Sequence, residues 1–576
     1  ALAAAQVIDR PDGRIRAGLA LLLDVRGELH RVACRARDQL RAQDGDEVAS
    51  ALRVGDRFDL ARLLSQTGRQ VSYAVDVALR SVRSTLSPRR GVRTAPQRRP
   101  LADGVVLHST GVSEVVLARS ARVGGDPALV LRVAAAAART ATPISAGTLA
   151  TLAKNASKPL NPWPDAMRGE LIALLAAGPG LIEVVQALDA TGLWGRLFPE
   201  WVAVADLPAR DAAHIWTVDR HLLQTTVVAA RMVTSVSRPD LLLLGALLHD
   251  IGKGRADDHS VLGARIVEQV GLRLGYSEPD VRLLRRLVRH HLLLPHTATR
   301  RDIGDPLTVS RVVEELNGDP VLLELLHYLT MADSQATGPG VWTEWRAALL
   351  DELVSSVRAR ISGVDDPLPS RIGEAATTLA QRAATTRRPE LTVEGPERNA
   401  IVRIAATEQP GLLSVAAGVL VLGGVDVHSA SLHRYRDISV GEFTVSPRFG
   451  ALPDAAMLRE QFRLALGGAV ALAERIAAKE RDYPPGAQGI AEPRVRWFDN
   501  ESSAAPVLEL RAVDRIGLLY RVAATLEHLA ITVVWARVST LGGTAIDSFC
   551  VLDGDPAAAD PLRRKRITDA VLAAVR

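Results

Sequence analysis

The stretch that decides the reading is "LLLLGALLHDIGKGRADDHS", residues 241–260. Eight residues without a polar side chain run straight into His249 and Asp250, and Lys253, Asp257, Asp258 and His259 follow. A segment this apolar predicts a helix buried all round. The ionisable pair at its end then needs compensation, because a buried charge without a partner is costly. Gly252 and Gly254 predict a stop and a turn that brings His259 back towards the pair.

That compensation has to come from other helices. Eight of the 13 histidines lie between residues 214 and 327, which favours a shared site over scattered core histidines. Helical spacing places His221 on one face with Val218, Leu222 and Thr225. His291 continues the stripe of Leu284, Leu287 and Val288, whereas His290 points about a quarter-turn away. Asp333 follows Leu326, Leu329 and Thr330 on one face, an expensive place for an uncompensated carboxylate. Buried histidines and aspartates from separate helices predict a divalent metal in a pocket formed by His221, His249, Asp250, His291 and Asp333, with His259 returned to it. Such all-nitrogen and oxygen ligands suit manganese, magnesium, iron or zinc, and spacing does not choose among them. The blander reading is a helix end capped by surface His and Asp.

The totals set bounds. A chain of 576 residues predicts several domains. The apolar share of 47% and charged share of 23% are those of a globular protein. The net charge of +5 comes mainly from arginines scattered through an alanine-rich sequence, so no DNA or RNA partner is expected. Cys34 and Cys550 are the only cysteines, which argues against a disulfide framework or a cysteine zinc site and suits a reducing cytoplasm. No apolar run is long enough to cross a bilayer, and the opening "ALAAAQVIDRPDGR" does not read as a signal peptide. It lacks an initiator Met, a hint of a longer protein.

Along the chain, residues 1–85 predict helices, with "LLLDVRGELHRVACRARDQL" (21–40) at helical spacing. Residues 86–205 predict a linker and helical subdomain. Within it "LSPRRGVRTAPQRRPLADG" (86–104) reads as a loop, and "EVVLARS" (114–120) and "ALVLRVAA" (128–135) as strands. Residues 206–350 form the helical domain that carries the pocket, and 351–397 a polar helical linker.

A repeat follows, over 398–480 and 505–576, at a constant offset of 106 residues. Gly411, Leu412 and Leu413 fall on Gly517, Leu518 and Leu519; Ala417 falls on Ala523, Leu420 on Leu526, Val427 on Val533 and Phe443 on Phe549. Each copy reads as strand, Gly turn, amphipathic helix and two strands, which predicts a ferredoxin-like α+β unit. "EQPGLL" (408–413) and "DRIGLL" (514–519) sit where the first strand enters the helix. Gly411 and Gly517 let a ligand approach the backbone, the amides heading the helices at Leu412 and Leu518 attract a carboxylate, and Glu408 and Asp514 suit an amino group. The predicted fold class is thus multidomain, mainly α, followed by two α+β domains.

His221, His249-Asp250, His291 and Asp333, in that order, resemble the HD metal-dependent phosphohydrolase superfamily. The phrasing "HIWTVDRHLLQTT" (214–226), "LLHDIGKGRADDHSVLGA" (247–264) and "LTMADSQATGP" (329–339) resembles one family within it. That family is the bifunctional uridylyltransferase/uridylyl-removing enzymes that modify the nitrogen-signalling protein PII. "VRGELHRVACRARDQL" (25–40) is similar to the helices that follow the family's nucleotidyltransferase core, and the repeats to its two ACT domains.

The resemblance implies that His221, His249, Asp250 and Asp333 hold a primary metal, with His259 and His291 completing room for a second. Magnesium or manganese comes first as the ion. Activated water then attacks the phosphorus of a nucleotidyl-tyrosine on PII, with Asp250 and Lys253 catalytic, Lys253 offsetting charge on the phosphoryl oxygens. UMP, or AMP in some related regulators, leaves. Glutamine is the implied effector of the ACT domains, stimulating removal; Glu408 departs from the aspartate usual at the head of that turn. No membrane partner is implied, and the location is cytoplasmic.

One departure matters. The transferase half of the family needs a Gly-Ser turn followed by two aspartates, and this sequence has no Gly-Ser dipeptide; Asp44/Asp46 and Asp553/Asp555 lack such a loop upstream. The expectation is that this chain does not transfer nucleotide, an activity reserved for the full-length protein. Two rival readings compete. Alarmone hydrolases of the guanosine tetraphosphate type also combine HD and ACT modules, but with a synthetase between them for which there is no room here. A non-catalytic amino-acid-sensing module is disfavoured by the intact ligand positions.

Overall fold

A computed structural model of the chain describes residues 13–86, 97–109, 112–210, 214–301, 303, 306–338, 341–363, 373–396, 400–407, 409, 411–448, 450–482, 492–498, 506–541, 544–553 and 560–576. These fall into two compact units, Ala1–His291 with Glu324–Thr337, and Leu292–Leu323 with Gly338–Arg576. The sequence range 206–350 is therefore divided between them.

The first unit begins with helices α1 (Gly13–Ala33), α2 (Ala42–Leu52) and α3 (Arg57–Leu86), packed about Val25, Leu29, Val48, Ala49 and Leu60. An antiparallel meander follows, β1 (Gln97–Ala102), β2 (Val105–Ser109) and β3 (Ser113–Leu117). The stretch 86–104 is thus not all loop: residues 97–102 form β1, while 87–96 lie outside the described residues.

Strand β3 covers most of "EVVLARS", but "ALVLRVAA" corrects the sequence reading, because it lies in helix α4 (Leu129–Arg139). Five consecutive alanines, Ala134–Ala138, carry the highest helix propensity. Burial on several sides removes the periodicity that would have separated helix from strand. Helices α5 (Ala146–Asn155), α6 (Asp165–Leu175), α7 (Gly180–Ala190) and α8 (Leu193–Leu197) lead through a 3-10 turn, Pro199–Ala203, to the helices that matter most.

These are α9 (Val218–Ala229), α10 (Pro239–Leu248), α11 (His259–Arg273) and α12 (Glu278–Arg289); α13 (Leu293–Arg300), α14 (Pro306–Glu315) and α15 (Pro320–Thr337) follow. Every residue of α10 from Leu241 to Leu248 is buried, as its composition demands. It packs against α9, α12 and α6. The wall the sequence implied is real, and its C-terminal end is the fixed point of the site.

The second unit gathers α13, α14, α16 (Glu344–Ile361) and α17 (Glu374–Thr386) with one eight-stranded antiparallel sheet. Its strands are β4 (Glu390–Glu394), β5 (Ala400–Thr407), β6 (Val425–Tyr435), β7 (Ile438–Pro447), β8 (Arg494–Phe498), β9 (Val507–Val513), β10 (Ile531–Leu541) and β11 (Thr544–Asp553), in the order β4-β5-β7-β6-β10-β11-β9-β8. Helices α18 (Leu412–Leu422), α19 (Ala455–Leu466), α20 (Leu472–Asp482), α21 (Leu518–His528) and α22 (Pro561–Val575) complete the repeats.

Each repeat supplies strand, helix, strand, strand as read from sequence. The strand beside the first one, however, precedes it in the chain: β4 pairs β5 and β8 pairs β9. Both therefore lie ahead of the ranges 398–480 and 505–576. Alternation along β5 explains the layers. Val402, Ile404 and Ala406 join the core under α18 and α21, while Ala405 faces Ala376, Leu379 and Ala383 of α17. The copies meet through β6 and β10, where Ala430 pairs with Ala536, its own counterpart at the 106-residue offset. Among the described residues no helix is long and apolar enough to cross a membrane.

Candidate metal centre

Five elements of the first unit converge. α9 carries His221 in its first turn, α10 ends at His249 with Asp250 next, α11 starts at His259, His291 follows α12, and α15 brings Asp333. Two of the histidines are aimed by the backbone. His249 Nδ1 donates to the Ala246 carbonyl at 3.0 Å and His291 Nδ1 to that of Val288 at 2.7 Å. With Nδ1–H committed outward, Nε2 keeps its lone pair for the centre.

The donors form two triads, His221, His249 and Asp333, and Asp250, His259 and His291; within each, the ligand atoms lie within 4.8 Å of one another. His221 Nε2 stands 2.8 Å from Asp333 Oδ1, and His249 Nε2 3.7 Å from the same oxygen. Asp250 joins the triads: its Oδ1 is 3.6 Å from both His259 Nε2 and His291 Nε2, and its Oδ2 3.5 Å from His249 Nε2. Lys253 Nζ approaches Asp250 Oδ2 to 2.5 Å.

The return of His259 depends on Gly252. A Cβ there would sit 2.1 Å from the His259 carbonyl oxygen, so only glycine lets α11 start this close. Asp258 caps α11 by accepting from the Ser260 and Val261 amides.

The residues fit a divalent cation. Buried His249 Nε2 and Asp250 Oδ1 have no hydrogen-bond partner among the described residues, an expensive state that ligation relieves. Burial pushes the His291 imidazole down to about 4, keeping it a neutral donor. Burial opposes ionisation of Asp250, but Lys253 and then His249 outweigh it and hold its carboxyl well below the usual range. Asp333 is treated likewise by His221 and His249. His249 is raised, because Asp250 outweighs the effect of burial.

Sequence reasoning passed over other residues here. The His214 ring meets that of His221 edge-on at 5.1 Å. Thr337 Oγ1 donates to Asp333 Oδ1 at 3.4 Å, whereas Thr225, whose Oγ1 lies 3.5 Å from His221 Nε2, had already been placed on the His221 face. Thr337 stands four residues after Asp333, so helical spacing could have found it. His214 precedes α9 and had no helical face to betray it.

The two Gly turns differ. Gly411 and Gly517 cap α18 and α21 with φ of 93° and 78°, and Leu412 and Leu518 are buried; Glu408 lies outside the described residues. In the first copy the Ser414 amide and hydroxyl both donate to Glu527 of α21, at 3.3 and 2.5 Å. The expected carboxylate receptor at this helix start is therefore engaged by the other repeat, because α18 and α21 pack together. In the second copy Asp514, Gly517 and Leu518 line a cavity of about 300 Å3 with Arg346, Asp426 and Arg448.

The HD domain family matches residues 218–334, a span that holds all six metal-centre residues. A bifunctional uridylyltransferase/uridylyl-removing enzyme of Mycobacterium tuberculosis (strain ATCC 25618 / H37Rv) is 49% identical over 96% of this chain and 70% of its own length. The chain belongs to the bifunctional uridylyltransferase/uridylyl-removing enzyme family. A second member, from Streptomyces coelicolor, is 38% identical over 96% of this chain and 73% of its own length. A third, from Corynebacterium glutamicum, is 38% identical over 61% of this chain. For a member of the uridylyltransferase/uridylyl-removing family, the HD match makes this an enzyme with a metal-dependent hydrolytic domain.

Proposed function

We propose that this chain is the phosphodiesterase that removes UMP from the modified tyrosine of PII. The observation that carries the reading is the gathering of four imidazoles and two carboxylates into paired triads joined by Asp250. His221, His249 and Asp333 would hold one divalent ion, and Asp250, His259 and His291 a second, with magnesium or manganese the expected metal. When bound, such ions supply Lewis acidity for activating water and offsetting phosphoryl charge. Lys253, beside Asp250, would pair with a phosphoryl oxygen. The carbonyls of Ala246 and Val288 keep the His249 and His291 rings from turning. With two free cysteines, the chain suits the reducing cytoplasm.

Incubation with uridylylated PII and manganese is expected to release UMP, and chelation to stop it, while guanosine tetraphosphate stays intact. Hydrolysis of the alarmone with uridylylated PII untouched would overturn the assignment.

Glutamine is the proposed effector, at the cavity of the second repeat. The cavity presents carboxylates, Asp426 and Asp514, as well as guanidinium groups, Arg346 and Arg448, as a zwitterion requires. The Arg346 guanidinium donates to the Val341 carbonyl at 2.7 Å, and burial alone pulls its pKa down to about 10, so a ligand carboxylate suits it. Asp514→Asn is expected to weaken glutamine binding by about tenfold in calorimetry, near the value of one charged hydrogen bond. Glutamine is expected to stimulate UMP release, and a flat response across a glutamine titration would count against the effector role.

A further inference from the structure

We infer that Arg69, on a helix outside the HD match, is a positioning residue for the metal centre. The inference rests on the proposed reading of that centre as a metal site. Arg69 belongs to α3, and its Nη1 lies 2.6 Å from Asp219 Oδ2. Asp219 is in the first turn of α9, two residues before His221, and only 1% exposed. Its other carboxylate oxygen has no hydrogen-bond partner among the described residues, so Asp219 leans on Arg69.

The same guanidinium reaches a second buried carboxylate. Arg69 Nε donates to Asp206 Oδ1 at 2.6 Å and Nη2 donates to the same oxygen, to which Ser65 Oγ also donates at 2.9 Å. Two turns earlier on α3, Arg62 donates to the Val202 and Ala205 carbonyls at 2.8 and 3.1 Å. One face of α3 thus grips the segment 202–206.

Residues 203–207 meet the chain beside the centre at two places. The Leu207 carbonyl accepts from the Val218 amide, the first residue of α9, at 2.8 Å. Gly254, the residue after Lys253, runs so close that a Cβ there would lie 2.9 Å from the Ala203 carbonyl oxygen. α3 therefore braces the turn carrying His221 directly, and the turn after His249-Asp250 through residues 202–207. An arginine suits the task because its planar fork serves two carboxylates at once; a lysine offers one point charge. Without it, Asp206 keeps only the Ser65 hydroxyl and Asp219 loses its ion pair, and the first turn of α9 shifts to relieve them. Metal ligands tolerate little displacement.

The test is manganese binding to the whole chain, followed by electron paramagnetic resonance well below the melting temperature. Arg69→Met is expected to raise the manganese Kd about 10- to 100-fold, the range for a group supporting a ligand. Arg69→Lys is expected to recover part of the loss. Asp219→Asn, which keeps the shape and removes the charge, serves if Arg69→Met fails to fold, and should raise Kd in the same direction. Unchanged Kd in folded Arg69→Met or Asp219→Asn overturns the inference while the metal centre stands. Absence of manganese binding by the unaltered chain overturns both.

Discussion

Asp250→Ala is expected to remove metal from the second triad, weaken the first, and lower UMP release by about 1,000-fold or more, roughly 4 kcal/mol of transition-state stabilisation. The size follows from position. Asp250 is buried, faces His249, His259 and His291 at 3.5–3.6 Å, and is the group Lys253 pairs with. No water could replace the Asp250 carboxylate there without weakening the field offered to a cation. Metal content by elemental analysis and product release by chromatography check it, with circular dichroism to show that the fold persists. A variant that retained metal and hydrolysis would end the assignment of this centre.

The second large effect lies in the other unit and concerns stability. Glu509 on β9 is fully buried, with Arg300 Nε of α13 at 2.5 Å and Arg511 Nε at 3.0 Å. Arg300 also lies over the Phe498 ring, 5.6 Å from its centroid. Breaking a buried pair by deleting one partner costs about 3–5 kcal/mol, because the other charge stays behind. Arg300→Met should fall at the lower end, since Arg511 remains, and lower the melting temperature of this unit by roughly 6–12 °C. Arg300→Met with Glu509→Leu should recover most of it, because the fully buried, under-compensated carboxylate goes with the arginine. Calorimetry that found the double variant no better than the single would show that packing, not charge, matters here.

Much of this is legible in the sequence. The buried helix α10, the ionisable pair at its end and the return of His259 follow from one apolar run and two glycines. The inward faces of His221 and Asp333 follow from period alone, the stripe of α12 points on to His291 just beyond its end, and the structure brings all six residues together. The duplication was equally plain, because a constant offset needs no structural knowledge.

What escaped did so for physical reasons. "ALVLRVAA" is apolar but for Arg132, and a segment buried on several sides has no clear period to read. Strands β4 and β8 are short edge strands whose place is fixed by pairing with β5 and β9, not by their own sequence. Glu527 reaching Ser414, and Arg69 reaching Asp219, join residues more than a hundred positions apart. Neither pattern nor propensity carries that information.

The pairing of Ala430 with Ala536 has a consequence of its own. Equivalent residues facing each other across antiparallel strands is the signature of a two-fold axis, the geometry of an isologous homodimer. The sheet is therefore a dimer written into a single polypeptide. Fusion fixes its stoichiometry at one to one whatever the protein concentration. It also frees each half to diverge, so that one helix start could be plugged by Glu527 while its twin kept an open cavity.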